Sequence, residues 1–411
     1  MPSLSELVGK QKVRSDIRSV PYRHRYLSAP AVGPSVTNGP VRFTLPKSNA
    51  GYLDVSTLRW RGLLNVSTVD ATARVAGHDL SVLIDRVRVM NGNKVVYDQE
   101  QNSLISNFTN GLVGVCDTMY ENYERKLSDY PEEKSTATRT SQITTAHTAN
   151  RLCIAPLGPE GSFVNSSHII PLQFMNSPVH VDIYFAEPST CFLSSDTALT
   201  YSLTDFELNW SALYSPSLDQ HYASNSVSIH VTEFGHRYNQ IAAGTSQINL
   251  LIPSNHSNCS GILTFMRDQN TNVSDITQEK LENANIPATD LAEVDFRIAT
   301  RSIYAEPLDD VSQYYNQLKH LYPQISKSRY FTPTGIENAQ FVQAVNLSGA
   351  PGQFGGVGGS LVSGVQSSTL NTDMSMKLTF NAPTASVIEC SHYVLSDVVY
   401  TFTNGMINVT L

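Results

Sequence analysis

Ile84-Asp85-Arg86-Val87-Arg88 in the first half of the chain and Val294-Asp295-Phe296-Arg297-Ile298 in the second share one pattern. Each is a strand-like run followed by a short loop and then by a stripe with helical spacing. Leu104, Phe108, Leu112, Val115 and Met119 fall within one helical face, which predicts a helix over roughly 101–126, weakened by Gly111 and Gly114. Leu308, Val311, Tyr315, Leu318 and Tyr322 predict another over roughly 307–322, stopped by Pro323. Such stripes most often mean a helix packed against a sheet. A second matching pair lies downstream. Tyr201-Ser202-Leu203-Thr204-Asp205-Phe206 and Tyr393-Val394-Leu395-Ser396-Asp397-Val398 each stand ahead of an expected strand. Asp85 and Asp205 are 120 residues apart, and Asp295 and Asp397 are 102 apart. The shared order reads as two diverged copies of one unit, each with a helix inserted at the same place.

Between these landmarks the period is two. Val179, Val181, Ile183 and Phe185 alternate with His180, Asp182 and Tyr184. Val227, Ile229 and Val231 alternate with Ser228, His230 and Thr232, and Met376, Leu378 and Phe380 with Ser375, Lys377 and Thr379. Each run predicts a strand with one buried and one polar face, as antiparallel sheets require. Asn91-Gly92 and Asn404-Gly405 sit between such runs and read as tight hairpin turns, because Asn and Gly accept positive φ. The fold class is therefore all-β.

Composition points the same way. The 411 residues are 41% hydrophobic and only 16% charged, against about 25% charged in an average soluble protein. Eighty Ser plus Thr and 29 Asn fill the gap, a mix that depletes helix formers and favours strands and turns. Aromatic residues at 9% argue against disorder, and scarce Glu and Lys argue against a coiled coil. The length suits two domains.

The net charge of −8 is unevenly spread. Lys10, Lys12, Arg14, Arg18, Arg23 and Arg25, opposed by Glu6 and Asp16, give residues 1–25 a charge of +4 and leave −12 for the rest. A basic arm on an acidic body suggests an anionic partner: nucleic acid, a membrane surface or an acidic neighbour. The alternative is a frayed, solvated terminus. Leu4, Leu7 and Val8 share a helical face, but Val13, Ile17 and Val20 fall opposite, so no membrane-lying helix is expected. Pro30, Pro34 and Pro40 mark an irregular linker, which puts the arm and linker at 1–40.

No stretch approaches the roughly 18 apolar residues of a membrane span, and the N-terminus lacks the apolar core of a signal peptide. Cys116, Cys153, Cys191, Cys259 and Cys390 are scattered, with no C-x-x-C, and read as reduced buried thiols of a cytosolic or nuclear protein. Nine N-x-S/T sequons run from Asn65 to Asn408, where chance supplies roughly six.

Catalytic chemistry is not evident. H-E-x-x-H, the P-loop, G-x-S-x-G and the calcium loop are all absent from the sequence. His180 and His230 alternate with apolar residues and are expected to face solvent or an interface. The Gly-rich run 351–360 lacks the Lys-Ser/Thr pair of a phosphate loop and reads as a flexible loop. Glu132-Glu133 fits a charged loop, and Asp309-Asp310 the opening turn of a helix. No catalytic, cofactor-binding or metal-ligating residue is assigned, and no cofactor or small-molecule substrate is expected.

At four segments the chain resembles the double jelly-roll major capsid proteins of the adenovirus and tailless-phage lineage of double-stranded DNA viruses. Leu83–Asn93 resembles that family's strand and turn before the first helix. Pro171–Pro178, with the strand Val179–Ile183, resembles a segment late in the first roll. Tyr201–Leu208 resembles that roll's closing strand, and Ser363–Phe380 the end of the second roll. The resemblance implies two tandem eight-stranded jelly rolls, over 41–222 and 223–411. It further implies a homotrimer forming a pseudo-hexagonal capsomer that tiles an icosahedral shell. Implied partners are neighbouring capsomers and minor capsid or vertex proteins, with the arm on an inner membrane or the genome. The implied location is the virion, with synthesis in the host cytoplasm or nucleus and no secretion. Long tower insertions are lacking, which lowers the expected outer surface. Two alternatives stand beside this reading: a single jelly-roll capsid protein with a projection domain, and a carbohydrate-binding or hydrolytic β-sandwich. The last would need exposed aromatics, whereas Trp60 and Trp210 both fall in strand-like runs.

Overall fold

The computed structural model describes residues 17–113 except 35, 38, 48–50, 71–72 and 76–79, and residues 151–254 except 195 and 225. It further describes 258–268, 286–323 except 287 and 300, 325, 341–347 and 374–410. Among these, eight strands of four residues or more precede residue 215, beside the two-residue strands Ala31–Val32, Arg74–Val75, Ile169–Ile170 and Phe192–Leu193: β1 (Arg18–Arg25), β2 (Val41–Thr44), β3 (Tyr52–Ser67), β4 (Ile84–Asn91), β5 (Lys94–Gln99), β6 (Arg151–Pro156), β7 (Val179–Phe185) and β8 (Thr200–Tyr214). They pair antiparallel in two sheets of order β1-β8-β3-β6 and β2-β7-β4-β5. This order is that of a jelly roll, in which the last strand enters between the first and the third.

The second half repeats it. Its strands are β9 (Val227–Ile241), β10 (Gln247–Ile252), β11 (Cys259–Asp268), β12 (Leu291–Ile298), β13 (Arg301–Ser302), β14 (Val342–Asn346), β15 (Met374–Phe380) and β16 (Ile388–Thr403). The sheets run β9-β16-β11-β14 and β10-β15-β12-β13, so adding eight to every strand of the first roll reproduces the second. A last strand, β17 (Met406–Thr410), pairs with the end of β16. The quoted landmarks fall on equivalent strands. Ile84–Arg88 and Val294–Ile298 lie on β4 and β12; Tyr201–Phe206 and Tyr393–Val398 lie within β8 and β16, rather than ahead of them.

The inserted helices occupy matching places, between the fifth and sixth strands of each roll. In the first roll, α1 (Asn102–Ser106) passes into a π-helical turn over Asn107–Val113, and the rest of the expected helix lies outside the described residues. Its polar side chains are buried and satisfied. Asn102 Nδ2 donates to the carbonyls of Ile84 and Leu157, at 3.2 and 3.1 Å, and Asn110 Nδ2 to that of Gly158 at 3.1 Å. In the second roll the helix between β13 and β14 covers Val311–Leu321, and Asp310 caps it by accepting the Ser312 amide at 2.7 Å. Its buried residues are Tyr314, Leu318 and Leu321; of the expected stripe, Leu308, Leu318 and Tyr322 are buried and Val311 and Tyr315 half-buried. Leu321 needs Gly261 beneath it: a Cβ there would come within 2.6 Å of Leu321 Cδ1.

The chain divides into two compact units. The first holds the described residues up to Asn110, then 151 to Thr232, and also Val398–Thr410; the second holds Glu233–Asp397 and residues 111–113. Two features differ from the sequence reading. Part of the expected arm, Arg18–Arg25, is the first strand of the first roll, fully paired with β8 from Arg18–Tyr214 to Arg25–Glu207. The C-terminal hairpin belongs to the first unit, although its sequence follows the second roll. Residues 1–16 lie outside the described residues.

The hairpin turns follow their residues. Asn404 and Gly405 both have positive φ, at 49° and 70°, as a type I′ turn requires. In the β4–β5 turn the central pair is Gly92-Asn93, with Gly92 at φ 60°, because Asn91 still pairs with Lys94. The first unit's core joins Phe43, Trp60, Val87, Val181, Ile183 and Phe206, all at most 2% exposed. The second unit buries Leu250, Leu263, Phe265, Phe296, Met376 and Leu378. Trp60→Ala and Phe296→Ala should each cost about 3–5 kcal/mol in chemical denaturation, from lost burial and the cavity left behind. A loss below about 1 kcal/mol in either would contradict the core assignment.

Candidate assembly surfaces

Strand register builds a row of charge across the first roll. Asp182 on β7 stands opposite Arg42 on β2 and Arg88 on β4, and Arg88 stands opposite Asp98 on β5. The signs alternate across four strands. Arg42 grips Asp182 with two parallel bonds, Nε to Oδ1 at 2.6 Å and Nη2 to Oδ2 at 2.7 Å. Asp98 accepts Arg86 at 2.7 and 2.6 Å and Arg88 at 3.2 Å. Asp182 is only 1% exposed, and the two-pronged arginine is what makes burying that carboxylate tolerable. The bond to Asp182 in turn raises the Arg42 pKa. The second roll carries a shorter counterpart: Asp295 on β12, 4% exposed, accepts Arg297 Nε at 2.7 Å and Ser302 Oγ at 2.5 Å.

Loops at one end of the first roll expose apolar side chains beside acidic ones. The end of β3 pairs with the start of β8 at Ser67–Thr200, and Val32 pairs with Leu203 nearby, so the loops before β2, after β3 and before β8 meet there. Leu27, Val36 and Val69 on these loops are 83%, 51% and 93% exposed. The turn that carries Val69 is rigidly held. Asp196 accepts Thr68 Oγ1 and the Val69 amide, both at 2.8 Å, and its pKa is lowered by those bonds. Asp70 accepts Ser194 Oγ at 3.0 Å. The polar groups thus fix the backbone and leave a valine as the tip.

The residues weighed as chemistry are dispersed. His180 Nδ1 lies 3.0 Å from Thr44 Oγ1 beside the charged row, and His230 is exposed on β9. Asp310 is a helix cap. Cys153, Cys191, Cys259 and Cys390 are buried free thiols. Cys116, Glu132-Glu133 and the Gly-rich run 351–360 lie outside the described residues. Among the described residues no three His, Cys, Asp or Glu side chains gather as metal ligands, and no helix is long and apolar enough to cross a membrane. Trp60 and Trp210 are buried at 0% and 3% exposure, so neither offers a sugar-stacking platform.

Two histidines, His168 and His392, are buried instead, and His236 is half-buried. His168 Nδ1 lies 2.6 Å from Ser166 Oγ, and burial holds its pKa down to about 3. In the second unit His392 on β16 lies 2.8 Å from Thr264 Oγ1, and burial with the nearby His236 holds it to about 3. Burial and Arg237 lower His236 to about 4. Nε2 of all three lacks a hydrogen-bond partner among the described residues. Sequence reading missed them, because nothing in the sequence marks which side is covered, either for His236 and His392 inside β9 and β16 or for His168 in the loop before Ile169.

PBCV-1 VP54 superimposes with a TM-score of 0.63 at 11% identity, over 96% of this chain and 97% of that one. The Faustovirus major capsid protein gives 0.60 at 9%, over 93% and 90%, and the mavirus major capsid protein 0.55 at 10%, over 97% and 90%. The chain has the double jelly-roll fold of viral major capsid proteins. No family model and no curated protein matches the sequence.

The row of charge makes Arg42 and Asp182 interdependent. A double-mutant cycle of Arg42→Ala and Asp182→Ala should give a coupling of about 1–3 kcal/mol, and additive losses would contradict the pairing. The histidines set the acid response. Their folded pKa values lie below the unfolded value of 6.5, so the unfolded chain takes up protons first as pH falls. Their contribution is whole above pH 6.5 and is lost below it, at about 1.4 kcal/mol per pH unit for each group, until the folded pKa is reached. Urea denaturation between pH 7 and 4.5 should show this slope, reduced in His392→Gln. An unchanged slope in that variant would contradict the assignment.

Proposed function

We propose that this chain is a viral major capsid protein whose trimers form pseudo-hexagonal capsomers tiling an icosahedral shell. One observation carries the reading: the strand order 1-8-3-6 and 2-7-4-5 occurs twice in one chain. Three copies of a two-roll chain bring six similar uprights around a threefold axis, which is how a trimer fills a nearly hexagonal tile. The superimposed Faustovirus and mavirus proteins are themselves major capsid proteins. Residues 41–222, with β1 added, supply one roll, and 223–411 supply the other.

The role is structural rather than enzymatic. It places the protein in the virion after synthesis in the host cytoplasm or nucleus. Neighbouring capsomers and minor capsid or vertex proteins are its partners, and the basic residues Lys10, Lys12 and Arg14 meet an inner membrane or the genome. Polar rows satisfied within each sheet suit a tile that must pack against copies of itself without aggregating, and exposed apolar loop residues suit a contact made on assembly. A single roll with a projection domain would not repeat the strand order, and a sugar-binding sandwich would not bury both tryptophans. Size-exclusion chromatography with light scattering should give about 136 kDa, three times the 45.2 kDa chain. A stable 45.2 kDa species at all concentrations would overturn the reading.

A further inference from the structure

The second unit is an insertion in the first. The chain leaves the first unit within β9, at Thr232, and re-enters it within β16, at Val398. What returns is a thirteen-residue hairpin, and the first unit is built around it. Val398, Tyr400, Phe402 and Ile407 are at most 3% exposed and belong to the same core as Trp60 and Val181. The Tyr400 ring stacks on Phe163, with centroids 4.4 Å apart and planes 28° from parallel. Ser228 Oγ meets Thr401 Oγ1 at 3.0 Å, and Lys94 Nζ reaches the Ile407 carbonyl at 3.4 Å.

The turn of the hairpin is gripped as well. Asn176, 228 residues away from Asn404 in sequence, donates its backbone amide to the Gly405 carbonyl at 2.7 Å and its Nδ2 to the Asn404 carbonyl at 2.6 Å. The fit leaves no room for a side chain: a Cβ at Gly405 would lie 2.5 Å from Asn176 Cγ, and φ there is 70°. A hairpin lying on the surface would have neither four core side chains nor a clamped turn.

We infer that Val398–Thr410 is a clasp: this hairpin, which follows the second unit in sequence, closes the core of the first unit, which stays open until those residues arrive. The first roll is then not an independent folding unit, although its own eight strands are complete by Tyr214. A tile is finished only when the whole chain is present, whatever the tile goes on to build.

Hydrogen–deuterium exchange of the full-length protein tests this with two matched glycine substitutions. Gly405→Ala strains and overcrowds the clasp. Gly244→Ala introduces a similar positive-φ strain, at 79°, in a second-unit turn where nothing lies within 4 Å of the new Cβ. In Gly405→Ala, exchange should rise at least about tenfold in β5, β7 and residues 160–176, far from the substitution in sequence, with the second unit's β10, β12 and β15 unchanged. Gly244→Ala should leave those first-unit segments as in the wild type. Asn176→Ala, which weakens the grip without strain, should show the same first-unit pattern more weakly, and serves if Gly405→Ala does not fold. Faster exchange confined to 398–410 in both clasp variants would overturn the inference.

Discussion

Each roll depends on its last strand lying in the middle of a sheet. β8 pairs on one side with β1, register Arg18–Tyr214 onward, and on the other with β3, from Thr200–Ser67 to Leu213–Tyr52. β16 holds the same place between β9 and β11. Neither sheet of that kind is complete until its roll has been traversed, so the decisive pairings are far apart in sequence and their loop-closure entropy is met late. Insertions between the fifth and sixth strands leave this pairing untouched, which is why both rolls tolerate a helix at that point. The clasp extends the same logic beyond one roll: β16 closes its own sheet and then continues into the first unit's core.

Once the central strand is in place, the surfaces follow from what each edge and face must avoid. β1 is an edge strand, and Pro21 in its middle lacks the N–H that another strand would need. The polar face of the sheet built from β2, β7, β4 and β5 is satisfied internally, because Arg42, Asp182, Arg88 and Asp98 alternate in sign along one row. Exposed apolar side chains sit on strands at Val95, Tyr238, Leu251 and Met406, and the most exposed, Leu27 and Val69, sit on loops, with Val69 held out by a turn whose carboxylates are already engaged. For a protein proposed to meet many copies of itself, recognition through loops carries less risk of uncontrolled strand addition than recognition through edges.

Much of this was legible in the sequence. Alternation marked β7, β9 and β15, and the paired landmarks fell on β4 with β12 and β8 with β16, so the duplicated all-β plan follows from residue spacing. Asn404-Gly405 was a turn for the expected reason. The misses have physical causes. Arg18–Arg25 reads as a basic arm because an edge strand with a solvated face alternates weakly, and its partner lies some 190 residues away. Asp182 was placed on the polar face but not recognised as buried, since its cover, Arg42, is brought to it only by register. The hairpin's home in the first unit was hidden as well. Alternation tells which face of a strand is apolar, and says nothing of which core receives it.

One chain carries two rolls of the same strand order, and its trimers are proposed to make a hexagonal tile. Electron microscopy of the purified protein, with two-dimensional class averaging, tests it most directly. Views with a threefold axis and six similar densities around it, two for each chain, are expected. Averages showing isolated two-lobed monomers, or rings whose symmetry is not threefold, would contradict it.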